Sequence, residues 1–456
     1  MENSRKSKSD LVERTACALR PVVPQDRSIL LGLSGGMDSV VLLHLLHALA
    51  PRFSWCLSAL HVHHGISPNA DGWADFCSAL CARHGIPLHI ERVSIAALRG
   101  EHGIEAAARK LRHAAFLKRG CDFVALAHHA DDQAETLLLQ LLRGAGVKGA
   151  AAMPVFKPAA AHMHATLRPL LGVPRSVLLE YARQHALQWV EDESNSDGHY
   201  ARNFLRHRVF PQLEQRFPAY RDTLSRSAAH FAEAGELLDD LARQDAPDIF
   251  PFPVGGGGAR GEGLQLPVQT LRSLSHARAK NLLRYFLHAH GATLPHDAQL
   301  ADMLRQVLEA RANAAVCATF GAWQVHRYRG KVYVSPVLGA FARDLVLPWH
   351  GESELEWPAS ATRLIFSQTQ GQGISLAKLR QAPITLRLRN GGETLRPHPK
   401  ATTRSLKNLL QEHHIPPWRR ERLPLLYCGE ELACVVGVAV AADFQVSDSE
   451  SGIVVA

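Results

Sequence analysis

The segment SILLGLSGGMDSVVLLHLLHAL (28–49) constrains the fold more than any other part of the chain. A short apolar run ends in a glycine pair and is followed by an apolar run of helical length. That is the pattern of a strand, a tight turn and a helix packed back on it. Three further strand patterns follow: LSALHVHH (57–64), PLHIERVSI (87–95) and CDFVALAHH (121–129). Between them lie helical stretches, WADFCSALCARHG (73–85) and GIEAAARKLRHAAFLKRG (103–120). Such alternation predicts an α/β fold, a doubly wound parallel sheet, in which ligands collect at the carboxyl ends of strands. Chemistry is therefore expected in the loops after Leu33, His64 and His129.

The turn between the first strand and helix consists of Ser34, Gly35, Gly36, Met37, Asp38 and Ser39. Paired glycines let successive backbone N–H groups converge on one anion, and the helix N-terminus adds partial positive charge. The hydroxyls of Ser34 and Ser39 can donate to phosphate oxygens, so all six residues are nucleotide-binding candidates. Asp38 would repel a bare phosphate. It is expected either to hold Mg2+ bound to the nucleotide or to fix the loop. No lysine follows the glycines as in GxxxxGK[ST], and GxGxxG is absent, which sets aside a Walker loop and a dinucleotide fingerprint.

After about Phe217 the pattern changes. YRDTLSRSAAHFAEAGELLDDLARQ (220–244) and SLSHARAKNLLRYFLHAHG (273–291) read as amphipathic helices. They flank the linker-like PFPVGGGGARGEG (251–263), with four consecutive glycines at 255–258. AWQVHRYRGKVYVSP (322–336) predicts a hairpin turning at Arg329–Gly330. Beyond 340, short strands mix with one helix, TTRSLKNLLQEHH (402–414), before a second hairpin within RLPLLYCGEELACVVGVAVAADF (422–444). Three domains are expected: a catalytic domain over 1–217, a mainly helical middle domain over 218–340 and an α+β C-terminal domain over 341–456.

Charge narrows the partner. Of the formal net charge of +8, a surplus of +6 lies between Arg387 and Arg422, where nine Lys or Arg face three Glu. Concentrated positive charge of this kind neutralises phosphates. The eight cysteines contain no CxxC, and Cys77 and Cys81 stand one helical turn apart in an apolar pattern. Buried reduced thiols are expected, rather than a metal cluster or disulfides. The polar start, MENSRKSKSDLVERT, has no apolar signal core, and no run approaches the length of a membrane span. A cytoplasmic location without a membrane partner is expected.

SGGMDS between a strand and a helix resembles the signature of the PP-loop ATP pyrophosphatases, which split ATP between its α- and β-phosphates. The rest of the chain resembles, in order, the bacterial tRNA(Ile)-lysidine synthetases of that superfamily. The resemblance rests on HVHHGISPNADGWADFC (61–77), IEAAARKLRHAAF (104–116), AHHADDQAETLLLQLLRGAG (127–146), LRPLL (167–171), EDESNSDGHYARNFLRHRVFPQL (191–213) and the stretch from Arg389 to Phe444. It implies ATP and Mg2+ as cofactors, free L-lysine as a substrate and an isoleucine tRNA with a CAU anticodon as partner. Lysine would be joined to C2 of the wobble cytidine through an adenylated intermediate, with release of AMP and pyrophosphate. AUG reading would become AUA reading. The resemblance also allows a homodimer. A sulfur-transferring relative would need a CxxC set or a dedicated catalytic cysteine, and a glutamine-dependent amide synthetase would need an amidotransferase nucleophile domain. Neither is recognisable here.

That chemistry assigns further residues. The incoming amine must attack uncharged, so the site has to bind an ammonium group and later remove a proton. Asp131, Asp132 and Glu135, at i, i+1 and i+4 beside His128 and His129, gather three carboxylates at a helix start, where the dipole favours their ionised forms. Asp131 and Glu135 are assigned to lysine, and Asp132 to metal or nucleotide. Glu105, Arg109 and Arg112 share one helix face, and the resemblance favours Arg109 as the clamp on adenylate or pyrophosphate. His61 and His63 share a strand face and belong either to the nucleotide pocket or to the core. Arg202 and Arg206 either bring positive charge to the target nucleotide or brace the pocket from within. Arg404, Lys407, Trp418, Arg419, Arg420 and Arg422 are the expected tRNA contacts, cations beside an aromatic ring.

Overall fold

The computed structural model describes residues 10–65, 67–94, 104–159, 164–193, 201–250, 264–311 and 316–456, with backbone only at 10 and 104–107. The glycine run 255–258, Tyr200 and the side chain of Glu105 lie outside the described residues. The chain divides into two compact units, Met1–Leu241 and Ala242–Ala456.

The first unit opens with α1 (Asp10–Leu19), β1 (Ser28–Gly32), α2 (Met37–Phe53), β2 (Cys56–His63), α3 (Ala70–Arg83) and β3 (Leu88–Arg92). It continues through α4 (Ile104–Leu117), β4 (Phe123–Ala125), α5 (Ala130–Leu142), α6 (Val147–Ala150), β5 (Phe156–Lys157) and β6 (Ala165–Leu167). Next come α7 (Arg175–Gln184), α8 (Ala201–Phe204), a π-helical turn at Leu205–Val209, α9 (Phe210–Arg216) and the long α10 (Tyr220–Asp245). All four predicted strands form, in a sheet of order β3-β2-β1-β4-β6-β5. It is parallel except for β5, which runs antiparallel to β6.

Alternate residues of β1 point to opposite faces of the sheet. Ile29 and Leu31 join the core formed with α1, α2, α3 and α7. Leu30 packs instead with Ala115 and Phe116 of α4. After β3 the chain crosses back to place β4 on the other side of β1. The connections leaving β1 and β4 therefore diverge, and the crevice between them is the switch point where doubly wound sheets bind ligands. The long α10 starts inside this unit: Tyr220 packs with Ala134, Leu205 and Phe210, and Ala228 with Leu137 and Ala150.

The second unit holds two cores. The earlier one gathers α11 (Val268–Ser273), α12 (His276–Ala289) and α13 (Asp297–Glu309) against a sheet of β7 (Leu266–Pro267), β8 (Val316–Phe320), β9 (Trp323–Tyr328) and β10 (Lys331–Pro336). The β9–β10 hairpin turns at Arg329 and Gly330, at φ +48° and +72°. Two successive positive φ values give the two-residue turn that matches strand twist. The later core lies among antiparallel strands between Val346 and Val455, with the expected helix present as Leu406–Glu412. The second expected hairpin forms from Leu425–Cys428 and Glu431–Val435. All eight cysteines are free thiols. Cys77, Cys81, Cys428 and Cys434 are buried as expected, whereas Cys17, Cys56 and Cys317 are exposed. Among the described residues, no helix is long and apolar enough to cross a membrane.

Candidate active site

The glycine loop leaves β1 still tied to β2, through the Leu33 amide on the Leu60 carbonyl at 2.9 Å. It then turns at Gly35, whose φ of +87° only glycine adopts without strain. A Cβ at Gly35 would also lie 2.9 Å from Val190 Cγ2 and 3.2 Å from Cys77 Sγ. The loop is braced internally. Ser34 Oγ donates to Ser39 Oγ at 3.1 Å, Ser39 Oγ donates to the Gly36 carbonyl at 2.9 Å, and the Gly36 amide reaches Ser34 Oγ at 3.3 Å. Gly36 caps α2, so Met37, Asp38 and Ser39 form its first turn. Amides of a first turn point out along the axis and have no acceptor within the helix, which makes an anion seat. The Met37 side chain is buried, so what it can offer a ligand is its backbone.

His61 and His63 serve the frame. His61 Nδ1 lies 2.9 Å from the Leu33 carbonyl, beneath the loop, and burial lowers the pKa of the ring. His63, also buried, has Nε2 3.2 Å from Asp71 Oδ1 and 3.4 Å from Arg92 Nη1.

Across the switch point, α5 begins with a reciprocal cap. The His129 amide donates to Asp132 Oδ2 at 3.0 Å, and the Asp132 amide donates to His129 Nδ1 at 3.4 Å. This cap turns the buried His129 ring into the centre of three carboxylates. Asp38 Oδ2 lies 3.6 Å, Asp132 Oδ2 3.4 Å and Asp131 Oδ2 3.7 Å from its nitrogens. Burial opposes a charge on the ring, but the facing carboxylates of Asp38, Asp132 and Asp131 outweigh it and raise the pKa. Asp38 belongs to the glycine loop and Asp131 and Asp132 to the acidic cluster, so one imidazole joins the two motifs.

The three carboxylates of α5, Asp131, Asp132 and Glu135, differ in what holds them. Asp131 Oδ2 accepts from the Arg175 amide at 2.9 Å, at the start of α7, and Oδ1 accepts from Arg221 Nε at 2.5 Å. Burial works against its ionisation, but these two bonds prevail and lower its pKa. Each oxygen of Asp131 accepts one bond from the protein and keeps further acceptor capacity, and the residue lines the same cleft as Glu135. Glu135 is 1% exposed and forms a two-bond pair with Arg206, Nε to Oε1 at 2.8 Å and Nη2 to Oε2 at 3.1 Å. Burial nevertheless raises its pKa, contrary to the simple dipole argument. Asp132 Oδ1 is the most loosely held oxygen, 3.5 Å from Arg206 Nη2.

Arg206 sits on the π-helical turn, a departure from α-helix often found at functional sites. Its partner set makes it an internal brace, as does the bond from Arg202 Nη2 to Thr136 Oγ1 at 3.0 Å. Arg109 is exposed on α4. Two residues that the sequence reading did not single out, Arg175 and Arg221, complete the surroundings. With Asp131, Glu135, Arg206 and Tyr220 they line a cleft of about 350 Å³. Arg221 also forks Glu214 at 2.7 and 3.2 Å and lies over the Tyr220 ring. No periodicity marks such residues, since their partners come from other elements.

In the second unit, several expected RNA contacts are tied into the protein. The Trp418 ring stacks on His326, 4.0 Å between centroids, with Tyr328 and Tyr333 at its edges. Arg420 donates to the Ile415 carbonyl and Tyr328 hydroxyl, at 2.7 and 2.9 Å. Arg422 donates to the carbonyls of Ala359 and Gly339 and covers the Phe341 ring. Arg404 pairs with Glu412. One face of the Trp418 ring is thus covered from within the protein. Lys407 and Arg419 are exposed.

Histidine burial carries a pH signature. His64, His128 and His326 have pKa values pulled down to about 4, mainly by burial. The unfolded chain protonates these rings near pH 6.5 and the folded chain only near 4, so the fold loses stability as pH falls through that window. The melting temperature should be flat above pH 7 and drop between pH 6.5 and 4.5. A melting temperature constant across that range would contradict these burials.

The chain matches a PP-loop domain model over residues 7–213, a TilS substrate binding domain model over 266–333 and a TilS substrate C-terminal domain model over 384–456. It is 42% identical, over 95% of its length and 92% of the relative's, to a tRNA(Ile)-lysidine synthase of Nitrosomonas europaea. The chain belongs to the tRNA(Ile)-lysidine synthase family. A synthase of Coxiella burnetii is 38% identical over 92% of this chain and 90% of its own. Among solved structures, the U34-tRNA thiolase NcsA of Methanococcus maripaludis overlaps 50% of this chain and 81% of its own, at 20% identity and a TM-score of 0.43. As a member of the synthase family the chain is a tRNA-modifying ligase, and its PP-loop domain is the part that uses ATP.

Proposed function

We propose that the protein joins the ε-amine of free L-lysine to C2 of the wobble cytidine in a CAU-anticodon isoleucine tRNA. The observation that carries this reading is the meeting of glycine loop and acidic cluster on one histidine, His129. Adenylation and amine attack need an anion seat and a carboxylate cluster within one substrate's reach. The phosphates of ATP would lie over the first turn of α2. Attack of the cytidine C2 oxygen on the α-phosphorus breaks the α–β bond and releases pyrophosphate. Attack of the lysine amine on C2 then expels AMP, and the amine proton passes to a carboxylate. Asp132, whose Oδ1 is the most loosely held oxygen of the α5 carboxylates, is assigned as that acceptor, and Glu135 stands one turn further along α5.

Asp38 suits Mg2+. Its Oδ1 is buried with no hydrogen-bond partner, and Arg175 Nε is 3.8 Å away. An oxygen left open in this way fits a hard cation. No group of three or more protein ligands surrounds it among the described residues, which matches an ion held largely by nucleotide phosphates and water. That ion would neutralise charge on the departing pyrophosphate. The resulting exchange of lysine for cytidine carbonyl would switch reading from AUG to AUA.

The test is direct. Purified protein, ATP, Mg2+, labelled lysine and the CAU-anticodon isoleucine tRNA should give label in RNA, with one AMP and one pyrophosphate per lysine incorporated. Absence of lysine transfer to a tRNA that binds the protein would overturn the reading.

A further inference from the structure

Beside the catalytic crevice lie three cations, Arg168, Lys157 and Arg109, that form no ion pair among the described residues. The deepest member is Arg168, which follows β6 and is 6% exposed. Its amide donates to the Val155 carbonyl at 2.7 Å and its Nη1 to the Pro154 carbonyl at 3.0 Å, while Nε is buried without a partner. Lys157 lies on β5 opposite Thr166, two residues before Arg168. From the other side, α4 packs over β4 and β6, and His113, Phe116, Leu126, His164 and Thr166 line one shallow groove. Arg109 is one helical turn from His113 on that helix. Burial disfavours charge on Arg168, Lys157, His113 and His128, and the nearby Arg109 adds to that effect in each case. Among the described residues, Arg109, Lys157 and Arg168 form no ion pair.

Buried guanidinium groups are ordinarily matched by carboxylates, and unmatched burial is costly. Cations that also repel one another add to that cost. Elsewhere in this unit the chain does supply the matching acid: Arg206 has Glu135, and Arg221 has Asp131 and Glu214. Among the described residues, the missing counter-charge beside Arg168 is thus a local feature. The patch runs from His128, whose Nδ1 is buried and unpaired, across β6 to the edge strand β5. Two strand spacings make roughly 10 Å, more than one phosphate group requires.

We infer that Arg168, Lys157 and Arg109 form a phosphate-binding track flanking the catalytic centre, which takes the backbone phosphates of the RNA substrate next to the reacting nucleotide. This assignment rests on the tRNA reading proposed above. A shorter anion, the pyrophosphate released in the reaction, shares the same chemistry, and the experiment separates the two.

Full-length wild-type protein and the variants Lys157→Gln, Arg168→Gln and Arg168→Lys are titrated with the isoleucine tRNA by filter binding over a range of salt, and with pyrophosphate plus Mg2+ by calorimetry. Each Gln variant should weaken tRNA binding roughly fivefold and reduce the slope of log K against log salt by about 1, as loss of one phosphate contact does. Arg168→Lys should keep most of the affinity, and pyrophosphate binding should be unchanged throughout. Lys157 is exposed, so its variant tests the track even where Arg168→Gln does not fold. Wild-type tRNA affinity and salt slope in Lys157→Gln and folded Arg168→Gln would overturn the inference, as would a loss confined to pyrophosphate. Failure of the wild-type protein itself to bind tRNA would instead count against the functional reading.

Discussion

Asp38→Ala is expected to lower ATP-dependent pyrophosphate release by roughly 100- to 1000-fold, the cost of removing a group that organises charge in the transition state. Binding of tRNA should stay within about twofold of wild type, because the exposed cations Lys407 and Arg419 lie in the other unit. The stability of the variant separates a functional role from a structural one. Asp38 Oδ1 is buried and accepts no hydrogen bond, a desolvation cost that the variant escapes, while the variant also loses the carboxylate 3.6 Å from the His129 ring and 3.8 Å from Arg175. These effects oppose one another, so the melting temperature should change little while turnover collapses. Pyrophosphate release and thermal melting on the same preparation decide it. Full turnover in Asp38→Ala would refute the account of the loop.

Arg206→Ala should damage both fold and turnover. Glu135 is 1% exposed, and removal of its guanidinium partner leaves a buried carboxylate alone. Breaking a buried pair from one side costs about 3–5 kcal/mol, which for a unit of this size lowers melting by roughly 10 °C. Burial already raises the pKa of Glu135, and loss of the Arg206 charge that opposes this shift should raise it further. The double change Arg206→Met with Glu135→Leu should recover most of the stability, since an apolar pair of similar bulk avoids both desolvation costs. It should not recover turnover, because Asp132 then loses the cation 3.5 Å away and the site loses its second carboxylate. A double variant that turns over normally would reduce the pair to packing. One that melts as low as Arg206→Ala would show that the pair is not the unit of stability here.

Much of the first unit was legible in order. The four strands from Ser28 to Ala125 and the intervening helices follow from apolar period alone, and the strand–glycine–helix unit placed the anion seat at the start of α2. The Arg329–Gly330 hairpin was equally visible, because turn chemistry is local. The second unit was less legible. Its strands are short, several of two residues, so period-two patterns hardly develop before the chain turns. Basic residues there announce an RNA surface in the sequence. The charges of Arg387, Arg396 and Arg404, however, are each matched in space by Glu430, Asp443 and Glu412.

By itself the sequence determined which groups are present at the switch point: a glycine loop, an aspartate in the first turn of α2, and three carboxylates beginning α5. Spacing along one helix is a property of neighbours in the chain, and no later folding can alter it. Only the tertiary structure decided which counter-charge meets each of those groups. Asp131 accepts from Arg175 and Arg221, 44 and 90 residues away, and Glu135 from Arg206, 71 residues away. Asp132 Oδ1 and Asp38 Oδ1 are the least firmly held. Such pairing depends on which counter-charge arrives from another element, and that is fixed by packing, not by period.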